Sequence, residues 1–166
     1  MLIYHPAYDA YHCVFRMLAI ADQVRNLEFD KARLLDFYLV FPGMVRKVRL
    51  PDTMRELRAQ AKREENVYRD PVSEVSTFQD MRHIQEAAIR SIAASGLLDM
   101  GAFSAGYIAR SKTAMPIPLV DKLEDFLEEC SPITIGILKD LSKIPLLGKD
   151  GLKDRTKLME YRYDPA

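Results

Sequence analysis

Residues 96–112 read Gly96-Leu97-Leu98-Asp99-Met100-Gly101-Ala102-Phe103-Ser104-Ala105-Gly106-Tyr107-Ile108-Ala109-Arg110-Ser111-Lys112, and the fold turns on how this stretch is read. Two short apolar runs flank a glycine-bearing middle, the pattern of two strands joined by a turn, so a β-hairpin is expected. Immediately upstream, Met81, Ile84, Ala88 and Ile92 recur with helical period. Ser76 and Gln79 have the spacing of a capping box, and Gly96 supplies a left-handed terminus. The expectation is one helix over 77–95 running into a hairpin.

Further toward the N-terminus, Tyr11, Val14, Phe15, Leu18 and Ala19 mark one helix face between Asp9 and Val24, with Cys13, Met17 and Ile20 as a second stripe. A helix apolar over more than half its girth lies between neighbours. Leu27-Glu28-Phe29 is too short for anything but a single strand pairing or a turn. Asp30 is the expected N-cap of a second, mostly buried helix from Lys31 to Phe41, stopped by Pro42-Gly43. Helix, extended link, helix, helix and hairpin is the winged-helix order.

One segment departs from it. Thirty-five residues from Pro42 to Ser76 separate the second and third helices, and a connection that long is usually functional. Arg46, Lys47, Arg49, Arg55, Arg58, Lys62 and Arg63 stand there against only Asp52 and Glu56. Thr53 and Glu56 again have capping-box spacing, so a thin amphipathic helix is expected, followed by a loop over 66–77. Beyond residue 117, Leu119, Val120, Leu123, Phe126 and Leu127 form one helical stripe. Ser131-Pro132 opens another helix, with Ile133, Ile137, Leu138 and Leu141. The reading is a mainly α chain with a small β-hairpin. A winged-helix domain spans 1–116, with residues 43–76 inserted, and a C-terminal helical extension over 117–166 packs on it.

The charge balance, 24 basic against 24 acidic residues, excludes attraction to nucleic acid through bulk charge but leaves local patches open. Apolar residues make up 48% of the chain, which suits a folded domain, yet no run approaches the ~18 residues of a membrane span. Met1-Leu2-Ile3 passes directly into Tyr4-His5-Pro6 without a signal-peptide pattern, so a cytoplasmic protein is expected.

Reactive constellations are sparse. Asp9 and His12 share a helix face, but neither His5 nor Cys13 completes a metal-binding pattern, and a polar first turn explains them. Cys13 and Cys130 are far apart and read as buried thiols. His5, His12 and His83 accompany no nucleophile motif, and Gly101, Gly106, Gly148 and Gly151 form no phosphate loop. The acidic run Asp121, Glu124, Asp125, Glu128 and Glu129 reads as a solvated helix face. A non-enzyme is expected, with no cofactor, metal or small-molecule substrate. The candidate nucleic-acid or partner patch is Arg46, Lys47, Arg49, Arg55, Arg58, Lys62 and Arg63; five arginines among the seven favour contact with phosphate or carboxylate. Gln79, Arg82, His83, Gln85, Glu86 and Arg90 are expected on the exposed face of the third helix, with Arg110 and Lys112 at the base of the wing. Tyr4, His5, Tyr8, Ile144, Leu146 and Leu147 are the candidate subunit interface.

The stretch Tyr4-His5-Pro6 through Arg16, the run Phe29-Asp30-Lys31-Ala32-Arg33-Leu34-Leu35-Asp36-Phe37-Tyr38-Leu39-Val40-Phe41-Pro42, and the pairs Gly96-Leu97-Leu98 and Gly106-Tyr107-Ile108-Ala109 together resemble the middle component of ABC-three-component systems, as in Lamassu-type bacterial defence. The resemblance covers residues 4–42 and 77–112 and rests on packing motifs. It implies a non-enzymatic adaptor between an SMC- or Rad50-like ABC ATPase and an effector, often a nuclease, with double-stranded DNA as a further candidate partner. The residues themselves also allow a stand-alone winged-helix DNA-binding regulator.

Overall fold

A computed structural model describes residues 5–164 of the chain. It is mainly helical: α1 (Ala10–Gln23), α2 (Phe29–Val40), α3 (Arg55–Arg63), α4 (Glu74–Asp80), α5 (Arg82–Ala94), α6 (Met100–Ser104), α7 (Ile117–Glu128), α8 (Pro132–Lys139) and α9 (Leu152–Thr156). Two short strands, β1 (Leu27–Glu28) and β2 (Tyr107–Ile108), complete it. Among the described residues no helix is long and apolar enough to cross a membrane.

Helix α2 is the centre. Every residue from Lys31 to Tyr38 is buried, because α1 and α8 pack on it and the turn at Pro42–Lys47 folds back from its end. Helix α1 is capped by Asp9, whose carboxylate accepts from the His12 amide at 3.0 Å, and it packs along α5. The C-terminal segment shares this core: Ile133, Ile137, Leu141, Ile144, Leu146, Leu152 and Leu158 belong to one cluster with Leu18, Leu35 and Phe37. Where α8 crosses α3, Gly136 leaves space for Leu57, whose Cδ1 would lie 2.7 Å from an added Cβ.

The expected hairpin is replaced by something related. The backbone of 97–99 does run antiparallel to 109–111, with Asp99 N donating to Ala109 O at 2.9 Å and Ser111 N to Leu97 O at 3.0 Å. The connection, however, is helix α6 rather than a turn at Gly101. Asp99 Oδ1 accepts from the Ala102 amide at 2.8 Å, nucleating the helix, and Gly106 ends it at φ +86°. The other edge of 107–108 pairs with β1, Leu27 opposite Ile108 and Glu28 opposite Tyr107.

Three expected caps are corrected. Asp30 lies inside the first turn of α2, because β1 passes directly into the helix and Glu28 takes the cap position without a side-chain bond. Helix α3 follows a tight turn at Asp52–Met54, so Thr53 caps nothing and Met54 occupies the N-cap. Ser73, not Ser76, caps α4: its Oγ accepts from the Ser76 amide at 3.3 Å. Helix therefore begins inside the segment expected to be loop, and it breaks at Met81 before α5.

Candidate functional site

A polar network lies buried where α1, α2 and α5 meet. Asp36 is fully buried and accepts from Arg16 Nε at 2.6 Å and Arg16 Nη2 at 3.4 Å, a two-pronged ion pair. Gln85 Nε2 donates to Asp36 Oδ2 at 2.9 Å and to the Arg33 carbonyl at 3.1 Å, while Arg33 Nε returns a bond to Gln85 Oε1 at 3.1 Å. The Arg33 guanidinium sits 4.6 Å over the Phe78 ring. Burial, then the neighbouring Asp36 charge, pushes the Cys13 thiol up to about 12. Gln85, expected on the exposed face, is instead fully buried. Each charge in this network has its partner inside the chain. It fixes the three helices relative to one another and presents no reactive group to solvent.

Three of the seven basic candidates are paired with distant acids. Arg46 pairs with Glu65 at 2.9 Å, Lys47 with Glu74 at 2.6 Å, and Arg49 with Asp150 at 3.1 Å and Asp154 at 2.8 Å. Arg58 donates to the Leu50 carbonyl at 2.7 Å. Asp154 is held well below the usual carboxylate range by Lys157, by the Asp150 amide and by Arg49. Arg55, Lys62 and Arg63 remain exposed on α3 with no carboxylate within 4.0 Å among the described residues. The seven candidates therefore do not form one positive surface.

On α5, Arg82 and Arg90 are exposed but flank Glu86, at 2.7 and 3.9 Å. Gln79 and His83 are exposed beside them, and so is Lys112. Arg110 is half-buried, bonded to the Leu97 carbonyl and 3.7 Å from Asp22. Ile144 and Leu146 are buried within this chain itself, because the tail folds onto α2. Of the candidate interface, Tyr8 and Leu147 remain exposed, at 45% and 40%. His5 Nδ1 accepts from the Ala7 amide and its ring lies against Phe41, while Tyr4 falls outside the described residues.

The surface feature that sequence reading missed is the segment between α3 and α4. Val67, Tyr68 and Val72 are 88%, 102% and 105% exposed. The backbone that carries Val67 and Tyr68 is nonetheless well tied: Asp70 N donates to Asn66 O at 2.7 Å, Tyr68 N to Asn66 Oδ1 at 3.0 Å, and Asn66 N to Asp70 Oδ2 at 3.1 Å. Beside it, a groove of about 610 Å³ runs between α1 and α7, walled by Tyr11, Phe15, Arg16, Arg69, Lys122 and Phe126. Arg69 also borders a second cavity of about 390 Å³ toward the start of α8, so one loop residue joins the apolar protrusion to both. The acidic residues of α7 named above face solvent. No group of three or more histidine, cysteine, aspartate or glutamate side chains gathers as a metal site among the described residues.

This arrangement offers interaction surfaces on a tightly pinned helical scaffold. No curated protein and no solved structure matches the chain. Residues 2–164 match the family model of the ABC-three component (ABC-3C) system Middle Component 5, and the chain belongs to that family.

Proposed function

We propose that this protein is a non-catalytic adaptor in an ABC-3C complex of Lamassu type, joining an SMC- or Rad50-like ABC ATPase to an effector protein. The observation that carries the reading is the loop bearing Val67, Tyr68 and Val72, three apolar side chains left in water, the first two on a turn closed between Asn66 and Asp70. Isolated apolar side chains on a surface are ordinary, but three almost fully solvated ones on one short loop suit burial against a partner. Membership of a multi-component family supports another subunit as that partner. The core is read as a winged helix, with α1, α2 and α5 as its helices and 107–111 lying between 27–28 and 97–99. Residues 43–76, which include the protruding loop, form the insertion.

Co-expression with the products of the neighbouring genes tests the proposal. The wild-type chain is expected to co-elute with the ATPase, the effector or both, and the variant Val67→Ser/Tyr68→Ser/Val72→Ser to elute apart while melting at the wild-type temperature. A wild-type chain that purifies from that mixture as a lone monomer refutes it. The exposed, acid-free Arg55, Lys62 and Arg63 support a second reading, a stand-alone DNA-binding regulator. That reading requires duplex affinity that falls steeply with salt and is lost when these three are reversed to glutamate.

A further inference from the structure

A cleft of about 720 Å³ opens on a different face, between the turn that follows α1 and the end of α8, bordered by Arg25, Asn26, Glu28, Lys31, Lys139 and Lys143. Lys31 is its deepest cation. The residue is only 7% exposed, and no acceptor lies within hydrogen-bonding or ion-pair distance of its ammonium among the described residues. Burial holds that ammonium below its ordinary value, with the Glu28 charge acting in the opposite direction. Lysine is seldom buried this far without a hydrogen-bond acceptor, because desolvating the charge is costly, and here only the Glu28 charge offsets it. Glu28 Oε2, in the same cleft, is also buried without a hydrogen-bond partner. The first turn of α2 lies between these two residues and has no side-chain cap. Arg25 and Lys139 are exposed with no carboxylate within 4.0 Å, and Lys143 is 3.4 Å from Asp140.

We infer that this cleft binds a phosphate group, held by Lys31 in the depth and by Arg25, Lys139 and Lys143 at the rim. Three of the four cations are lysines reaching in from separate elements. Lysine acts as a point charge, suiting a tetrahedral anion with oxygens in several directions, whereas a planar carboxylate is better met by a paired arginine fork. The Phe29 amide donates to the Gly106 carbonyl at 3.2 Å, and the next amides of the first turn of α2, which have no side-chain cap, are of the right sign for an anion. The cleft has the volume of a small-molecule site. The phosphate belongs to a free nucleotide or to nucleic acid, and the inference does not depend on the adaptor reading.

The test is equilibrium binding by the full chain alone, titrated with inorganic phosphate, with ATP and with a short fluorescent duplex. Saturable binding is expected in at least one arm; ATP without duplex identifies a nucleotide, and duplex without ATP identifies nucleic acid. Lys31→Met keeps the buried apolar stem and removes the charge. It is expected to weaken binding by about tenfold or more while melting at or above the wild-type temperature, since an unpaired buried ammonium is gone. Lys139→Gln/Lys143→Gln, a purely surface change, weakens the same arm. The inference is overturned if no phosphate probe saturates, if Lys31→Met binds like wild type, or if polyglutamate competes as well as the phosphate ligand does.

Discussion

Replacing Arg16 with methionine isolates the energetics of the buried network. Methionine matches the stem of arginine in length but leaves the Asp36 carboxylate, which is fully buried, without its counter-charge. Two charges at this separation attract by about 4 kcal/mol at an effective dielectric near 20, and breaking a buried pair by removing one member costs about 3–5 kcal/mol. The remaining donors, Gln85 Nε2 at 2.9 Å and Cys13 Sγ at 3.9 Å, are neutral and offset little of this. With a urea slope of about 2 kcal/mol per molar, the unfolding midpoint should fall by about 2 M. The companion variant Arg16→Met/Asp36→Leu removes both charges. It should recover to within about 1–2 kcal/mol of wild type, the residue of the loss being one unpaired Gln85 amide hydrogen. Urea titrations followed by circular dichroism at neutral pH measure the wild type, the single variants Arg16→Met and Asp36→Leu, and the double variant. The reasoning is refuted if the double variant is as unstable as the sum of the two single variants, because the charges would then not be interacting.

Three further outcomes follow from particular atoms. Gly43→Ala should destabilise the fold by about 1–3 kcal/mol, since the new Cβ would lie 2.9 Å from the Glu64 carbonyl oxygen and 3.1 Å from Glu65 Cα; thermal melting checks it. Cys13, with its thiol pushed up to about 12, should resist a thiol-specific reagent at pH 8 in the native protein, while half-buried Cys130 reacts, and both should react in urea. Asp154, whose folded pKa is depressed, contributes stability that is fully present above the ordinary aspartate value of about 3.9 and is lost as pH falls below it. Asp154→Asn should therefore flatten the stability profile in that acid range and leave its slope near neutrality unchanged, as read by urea midpoints across pH.

The helices were legible in the sequence wherever a local signal decided them. Asp9 caps α1, Ser131-Pro132 opens α8, and Gly96 ends α5 at φ +75°, all within a few residues of the cue. The hairpin was misread because Asp99 is both a turn former and an N-cap, and only the Ala102 amide reveals which role it takes. Gln85 carried a cue: it follows Met81 by four residues and precedes Ala88 by three, which places it on the inner face. The ion pairing of Arg46, Lys47 and Arg49 could not have been read from the basic segment's own residues. The partners Glu65, Glu74, Asp150 and Asp154 come from 19, 27, 101 and 105 positions away, so local charge counting sees the cations and not the acids.

Pairing of Arg46, Lys47 and Arg49 reduces the charge the segment offers a partner and gives apolar area more weight in any contact. Full burial of Val67, Tyr68 and Val72 contributes about 4.5–9 kcal/mol at about 1.5–3 kcal/mol per side chain. Association costs at least about 4 kcal/mol in lost translational and rotational freedom, and often more. The loop alone therefore supports weak binding, and a stable complex requires the contact to continue onto neighbouring surface. Arg69 indicates the direction, because it lies in the same loop and walls the groove that holds Tyr11, Phe15 and Phe126. Tyr11 is 56% exposed and packs edge-on against Phe15 with ring centroids 4.8 Å apart, so the groove floor is already rigid. A partner that buries the protrusion and seats a side chain in the groove gains both surfaces without reordering this chain, and low ordering cost is what gives a contact of modest area its affinity. Tyr11→Ser should then weaken subunit capture together with Tyr68→Ser, even though the two residues lie on different elements.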